Sequence, residues 1–129
     1  KVVDLGFVPV QDKYDAMAAG TVLYQPSHNE SFSLVIMESW LCMRPVLVNE
    51  DCPVTTNFVK ESNGGLYFRN YYDFEGCLDY FLANEESCKA MASNGRDYVI
   101  KHFSWDAIID NLMNFLDHLD DDKEDVIHE

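Results

Sequence analysis

Short apolar runs alternate with longer stretches of helical periodicity along almost the whole chain. Residues 2–6, 21–25, 46–49 and 66–68 read as short strands, each an unbroken or nearly unbroken apolar run. Between the first two, residues 11–19 repeat with a helical period that puts Tyr14, Met17 and Ala18 on one face, and Gly20 ends the helix. Residues 33–43 form a helix that is apolar nearly all round, which predicts a sandwiched rather than a peripheral position. A shorter helix over 54–60 stops at Asn63-Gly64-Gly65, where a positive φ is easy. After the fourth strand, Asp73 is the predicted N-cap of a helix over 74–82. Asn84-Glu85-Glu86 opens another that holds Met91, Tyr98 and Val99, with Asn94-Gly95 weakening its middle. Ser104 caps a last helix through about Leu119, with Trp105, Ile108, Ile109, Leu112, Phe115 and Leu116 as its stripe. Buried strands alternating with helices predict an α/β fold: a parallel sheet sandwiched by helices and joined by right-handed crossovers. There is no internal repeat and no low-complexity linker.

One stretch carries candidate chemistry. Residues 26–38, PSHNESFSLVIME, run from the end of the second strand through a polar loop into the apolar helix. A strand C-terminus, a loop and a helix N-terminus form the ligand-binding corner of open α/β sheets, because first-turn N–H groups there have no intrahelical acceptor. Glu38 is the only charged side chain between Leu34 and Met43, and its helical neighbours Leu34, Val35, Leu41 and Cys42 are apolar or weakly polar. Such a carboxylate needs a partner or a ligand. The plainer reading is a narrow wet stripe shared with Ser39. Glu30 has its own plain reading, an acid that favours the positive end of the helix dipole.

Composition narrows the field. At 129 residues the chain is long enough for one domain with a real core. No apolar run approaches the roughly 20 residues that span a bilayer, and no secretory signal precedes the first strand, so a cytoplasmic location is expected. Because Lys1 leads straight into that strand with no initiator Met, the sequence reads as an excised piece of a longer protein. Cys42, Cys52, Cys77 and Cys88 show no paired spacing and no histidine at ligand distance; free thiols and no metal are expected. A net charge of −14 argues against nucleic acid or an anionic membrane surface as partner. Much of that charge is local: Asp106, Asp110, Asp117, Asp120, Asp121, Asp122, Glu124, Asp125 and Glu129 face Lys123 alone, so residues 117–129 read as an acidic helix end or tail after a body of residues 1–116.

The string P-S-x-x-E-x-F-x-L-V-x-x-E, followed by Arg44-Pro45-Val46-Leu47-Val48, resembles the signature of retaining GT-B glycosyltransferases of family 4, whose core is two glutamates separated by seven residues. Leu5-Gly6-Phe7-Val8-Pro9 with Tyr14 and Ala16 to Gly20 resembles the family's segment before the motif. Asn63-Gly64-Gly65-Leu66-Tyr67-Phe68 resembles its strand after it. His102-Phe103-Ser104-Trp105 resembles the meeting of its last helices. The likeness covers about residues 2–116 in the family's order.

The resemblance implies a Rossmann-like, nucleotide-sugar-binding C-terminal GT-B domain, incomplete on its N-terminal side, with the acceptor-binding domain missing. It implies a nucleotide-diphosphate sugar as donor substrate, no cofactor and no metal. By position, Glu30 would be the catalytic carboxylate that hydrogen-bonds the donor sugar. Ser31, Phe32, Ser33 and Leu34 would bind sugar and diphosphate at the helix N-terminus, and Glu38 the ribose hydroxyls. Ser31 and Ser33 stand where the family usually has glycine, and Trp40 where it has small residues. The family's diphosphate-binding Arg and Lys lie upstream of residue 2, so the chain alone is expected not to catalyse transfer; Arg44 and Arg69 read as surface. A degenerate GT-B-like domain, a sugar-nucleotide epimerase, a glycan phosphorylase and a non-enzymatic α/β interaction domain are the competing readings.

Overall fold

The computed structural model describes residues 1–124, with side chains through Leu119. Three strands form one parallel sheet in chain order: β1 (Leu23–Gln25), β2 (Val46–Asn49) and β3 (Gly65–Phe68). Leu23, Tyr24 and Gln25 stand opposite Val46, Leu47 and Val48, and residues 46–49 opposite 65–68. All four residues of β2 are buried, as a central parallel strand covered on both faces requires. The alternation of β2 divides the core. Leu47 packs with Phe81, Cys88 and the partly buried Val22, Leu66, Phe68, Phe74, Cys77 and Met91. Val46 and Val48 point the other way.

Six helices complete the described chain: α1 (Val10–Ala19), α2 (Leu34–Leu41), α3 (Pro53–Ser62), α4 (Tyr71–Ala83), α5 (Glu85–Phe103) and α6 (Trp105–Glu124). The expected α/β sheet flanked by helices is what forms. The chain divides into two compact units, Lys1–Asp97 and Tyr98–Glu129, with the line falling inside α5. Of the acidic segment 117–129, residues 117–124 continue α6 without a break, and 125–129 lie outside the described residues. In the second unit Ser104 caps α6 as predicted, its Oγ accepting from Ala107 N at 3.3 Å, and the stripe from Trp105 to Leu116 is exposed.

Three expectations need correction. Residues 2–6 are not a strand: they meet no ladder partner, and Val2, Val3 and Leu5 are exposed. The helix predicted from Asp73 starts at Tyr71. Asn70 is its cap, accepting from Tyr72 N and Asp73 N at 2.9 and 3.1 Å, while Asp73 Oδ2 reaches back to Arg69 N. The positive φ expected at Asn63-Gly64-Gly65 after α3 is there, carried by Asn63 (53°). Those glycines are needed for space: a Cβ on Gly65 would collide with the carbonyl of Val46, and one on Gly64 would sit 2.6 Å from the Trp40 ring. Finally, α2 is buried on one side only. Ile36, Met37, Ser39 and Trp40 face inward, while Leu34 and Leu41 are exposed.

Trp40 explains a second irregularity. Its side chain is fully buried and its Nε1 donates to the carbonyl of Gly64 at 2.8 Å. Gly95, in the middle of α5, lies against the indole so closely that any Cβ would overlap the ring. The glycine that weakens α5 in sequence is therefore the surface on which the largest core side chain rests.

Candidate functional site

The C-terminal ends of the three strands form one rim, and polar side chains at those ends knit it together. Gln25, the last residue of β1, donates through Nε2 to Glu30 Oε1 at 3.1 Å and accepts from Ser27 Oγ at 3.1 Å. Asn49, the last residue of β2, is buried; its Nδ2 donates to Pro26 O at 3.3 Å and its Oδ1 accepts from Asp51 N at 3.0 Å. One step past β3, Arg69 grips Glu50 in a two-pronged pair at 2.5 and 3.1 Å. Its hydrogen bond holds the Glu50 carboxyl below the usual carboxylate range. His28 Nδ1 lies 3.6 Å from Asp51 Oδ2 in an exposed contact. Glu30 is thus oriented by the strand that precedes its loop.

From this rim the loop enters α2. Ser31 is exposed; Phe32 is half-buried, with its ring 5.4 Å from that of Phe58 in an edge-on contact. Ser33 is the last residue before the helix and has left-handed backbone angles, φ 68° and ψ 69°. A serine caps a helix from extended angles, where its Oγ can reach the second or third N–H. In this conformation it does not, so α2 has no side-chain cap. Ile36 N bonds Ser33 O at 3.1 Å, and the N–H groups of Leu34 and Val35 are left without an intrahelical acceptor. Ser33 Oγ is buried with no hydrogen-bond partner. Asn49, Ser39, Thr55, Thr56 and Ser62, the other buried polar side chains described, all have one.

Glu38 sits away from this group, about 7 Å along the helix axis from Ser33 at 1.5 Å per residue. Its partners are on α1. Lys13 Nζ lies 2.7 Å and Tyr14 Oη 3.1 Å from the same oxygen, Oε1. The bond to Glu38 raises the Lys13 pKa above its usual value. The structure therefore brings Glu30 and residues 31–34 together at one corner and leaves Glu38 one and a half turns further down, held from the side. Neither arginine near the motif lines that corner freely: Arg44 Nε donates to Ala18 O at 2.8 Å, closing the end of α1, and Arg69 is engaged by Glu50.

Sequence reasoning missed Gln25, Asn49, Lys13 and Tyr14 as parts of this arrangement. For the first two a signal existed, since each is a carboxamide ending an otherwise apolar strand at the edge of a loop. For Lys13 and Tyr14 there was none, because their contact with Glu38 spans about 25 residues of chain.

A family model described as glycosyl transferases group 1 matches residues 1–98. A D-inositol 3-phosphate glycosyltransferase of Gordonia bronchialis is 29% identical over 101 residues, 78% of this chain and 22% of that protein. Among solved structures, the sucrose-phosphate synthase of Thermosynechococcus elongatus matches with a TM-score of 0.66 and 24% identity, over 81% of this chain and 26% of that one. That likeness bears on the fold, which is the Rossmann-like α/β fold of a GT-B protein. The chain spans about a fifth of the curated relative and about a quarter of the structural one.

Proposed function

The chain belongs to the glycosyl transferases group 1 family, and from that membership we propose that it is the donor-binding part of a longer, retaining glycosyltransferase of family 4. The reaction moves a hexosyl group from a nucleotide-diphosphate sugar to an acceptor hydroxyl. The observation that carries this reading is the uncapped N-terminus of α2 beside Glu30 at the rim of the sheet. A helix N-terminus with open N–H groups favours an anion, and its effect grows as negative charge builds on a leaving diphosphate.

In this reading Ser31, Phe32, Ser33 and Leu34 line the sugar and diphosphate, and Glu30, oriented by Gln25, accepts hydroxyl hydrogen bonds from the sugar. Glu38 accepts them from the ribose diol. The anomeric carbon–phosphate oxygen bond breaks as the acceptor oxygen bonds to the same face, and the acceptor proton passes to the departing phosphate. Glu30 is not a nucleophile here: double displacement by two carboxylates needs both near the anomeric carbon, and the second is down the helix at the ribose end. No metal or cofactor takes part, the acceptor site lies in another domain of the full protein, and the setting is cytoplasmic.

A second reading is favoured by one observation. Ser33 places a buried, unpartnered hydroxyl and a strained backbone where the ligand would approach, as in a domain that keeps the fold without the activity. Titrating the 129-residue chain with UDP, GDP, ADP and their sugar conjugates, observed by amide NMR, separates the two. Saturable shifts at residues 31–34, selective for one base and abolished by Glu38→Ala, are expected of the donor domain. A folded chain that ignores all of them either needs the upstream Arg and Lys or is degenerate, and the same titration on the full-length protein separates these. Turnover of a sugar nucleotide by this chain alone would overturn the expectation that it is inactive without its missing parts.

A further inference from the structure

If Glu38 binds the ribose, as the reading above requires, something must fix the direction of its carboxylate. Glutamate has three rotatable bonds, and on α2 the positions three and four residues away, Leu34, Val35, Leu41 and Cys42, supply no strong hydrogen-bonding partner. The hold comes from α1. Lys13 Nζ and Tyr14 Oη converge on Oε1 at 2.7 and 3.1 Å. Lys13 is itself steadied, its Nζ lying 4.6 Å from the centre of the Tyr14 ring. Both donors take one oxygen, and no donor is found on Oε2 among the described residues. Glu38 also lines a pocket of about 340 Å³ together with Tyr14, Leu41 and Cys42.

We propose that Lys13 and Tyr14 are positioning residues for donor recognition: they pin Oε1 of Glu38 so that Oε2 is presented to the vicinal hydroxyls of a ribonucleotide. A carboxylate oxygen accepts two hydrogen bonds, so Oε2 alone can take both hydroxyls while Oε1 stays pinned. Lys13 has a second effect. In a chain of net charge −14 it places a cation beside the nucleotide carboxylate, so that Glu38 can face a polyanionic ligand without adding its own full charge.

The test compares UDP, GDP and ADP with their 2′-deoxy counterparts on the wild-type chain and on Lys13→Met, Lys13→Arg, Tyr14→Phe and Glu38→Ala, by calorimetry. Wild type is expected to prefer the ribonucleotide, and Glu38→Ala to lose the preference. Lys13→Met is expected to cut it by about threefold to tenfold, the range of one ordinary hydrogen bond, since the pair is partly open to solvent. Tyr14→Phe should cut it by less, and Lys13→Arg should restore most of it. A general loss of folding would weaken ribo- and deoxyribonucleotides alike, so the ratio isolates the positioning effect. If Glu38→Ala abolishes the preference while Lys13→Met and Tyr14→Phe leave it intact or enlarge it, the positioning role is wrong and the donor site stands. If Glu38→Ala leaves the preference unchanged, or the full-length protein with its upstream Arg and Lys binds no nucleotide, the donor-site reading falls and the positioning role with it.

Discussion

Ser33 combines two unfavourable features in one residue. Its left-handed backbone costs about 1–2 kcal/mol in a non-glycine residue, and its buried, unpartnered hydroxyl about 1–3 kcal/mol more. Glycine removes both, at the expense of about 0.4–1 kcal/mol of extra freedom in the unfolded chain. Ser33→Gly is therefore expected to raise stability by at least about 1 kcal/mol, seen as a higher urea midpoint at unchanged slope. Ser33→Ala, which removes the hydroxyl but not the backbone strain, should fall between the two. A Ser33→Gly protein no more stable than wild type would show that the hydroxyl has found a partner. None of this was legible in the string PSHNESFSLVIME, which marks the loop and the helix but not the sign of φ at the residue between them. The role of Glu38 was half legible. Its isolation on an apolar helix announced that it needs a partner, whereas the identity of that partner depends on how α1 lies against α2.

Helices and strands were legible where their own periodicity decides them, and not where a neighbour does. The helices α3, α4 and α6 stand close to where the pattern put them. Residues 2–6 have the composition of a strand, but a strand exists only with a ladder partner. The glycine in α5 reads as a defect until Trp40 is placed against it. That contact predicts an inverted sign. Alanine in place of a mid-helix glycine normally gains about 1 kcal/mol, yet overpacking against a buried ring costs about 1–3 kcal/mol, so Gly95→Ala should destabilise the native chain. In a Trp40→Leu background the same substitution should become neutral or stabilising, and equal effects in both backgrounds would refute the contact. The tie between the ends of β2 and β3 predicts a pH response. The Arg69 hydrogen bond holds Glu50 below its unfolded value, so the stability it contributes is complete above that value and is lost as pH falls through the folded one. Glu50→Gln should flatten the decline of stability between roughly pH 5 and pH 3.

A net charge of −14 surrounds a corner proposed to bind a diphosphate. Long-range repulsion of this kind is screened within about 10 Å at 0.1 M salt, whereas hydrogen bonds to N–H groups and to Glu38 are not. Nucleotide affinity should therefore hold or rise as salt increases from roughly 10 to 150 mM, the reverse of binding driven by a basic patch; a steep fall would mean that cations dominate the site. Among the described residues no helix is long and apolar enough to cross a membrane. The chain's two tryptophans have opposite surroundings, Trp40 fully buried and Trp105 78% exposed. The molecule thus carries two native fluorophores of different colour. Trp40 should emit to the blue and resist iodide, Trp105 to the red and quench readily. With Trp105 replaced by Phe, the remaining emission becomes a label-free optical record of the core around Gly64 and Gly95 as the first unit folds.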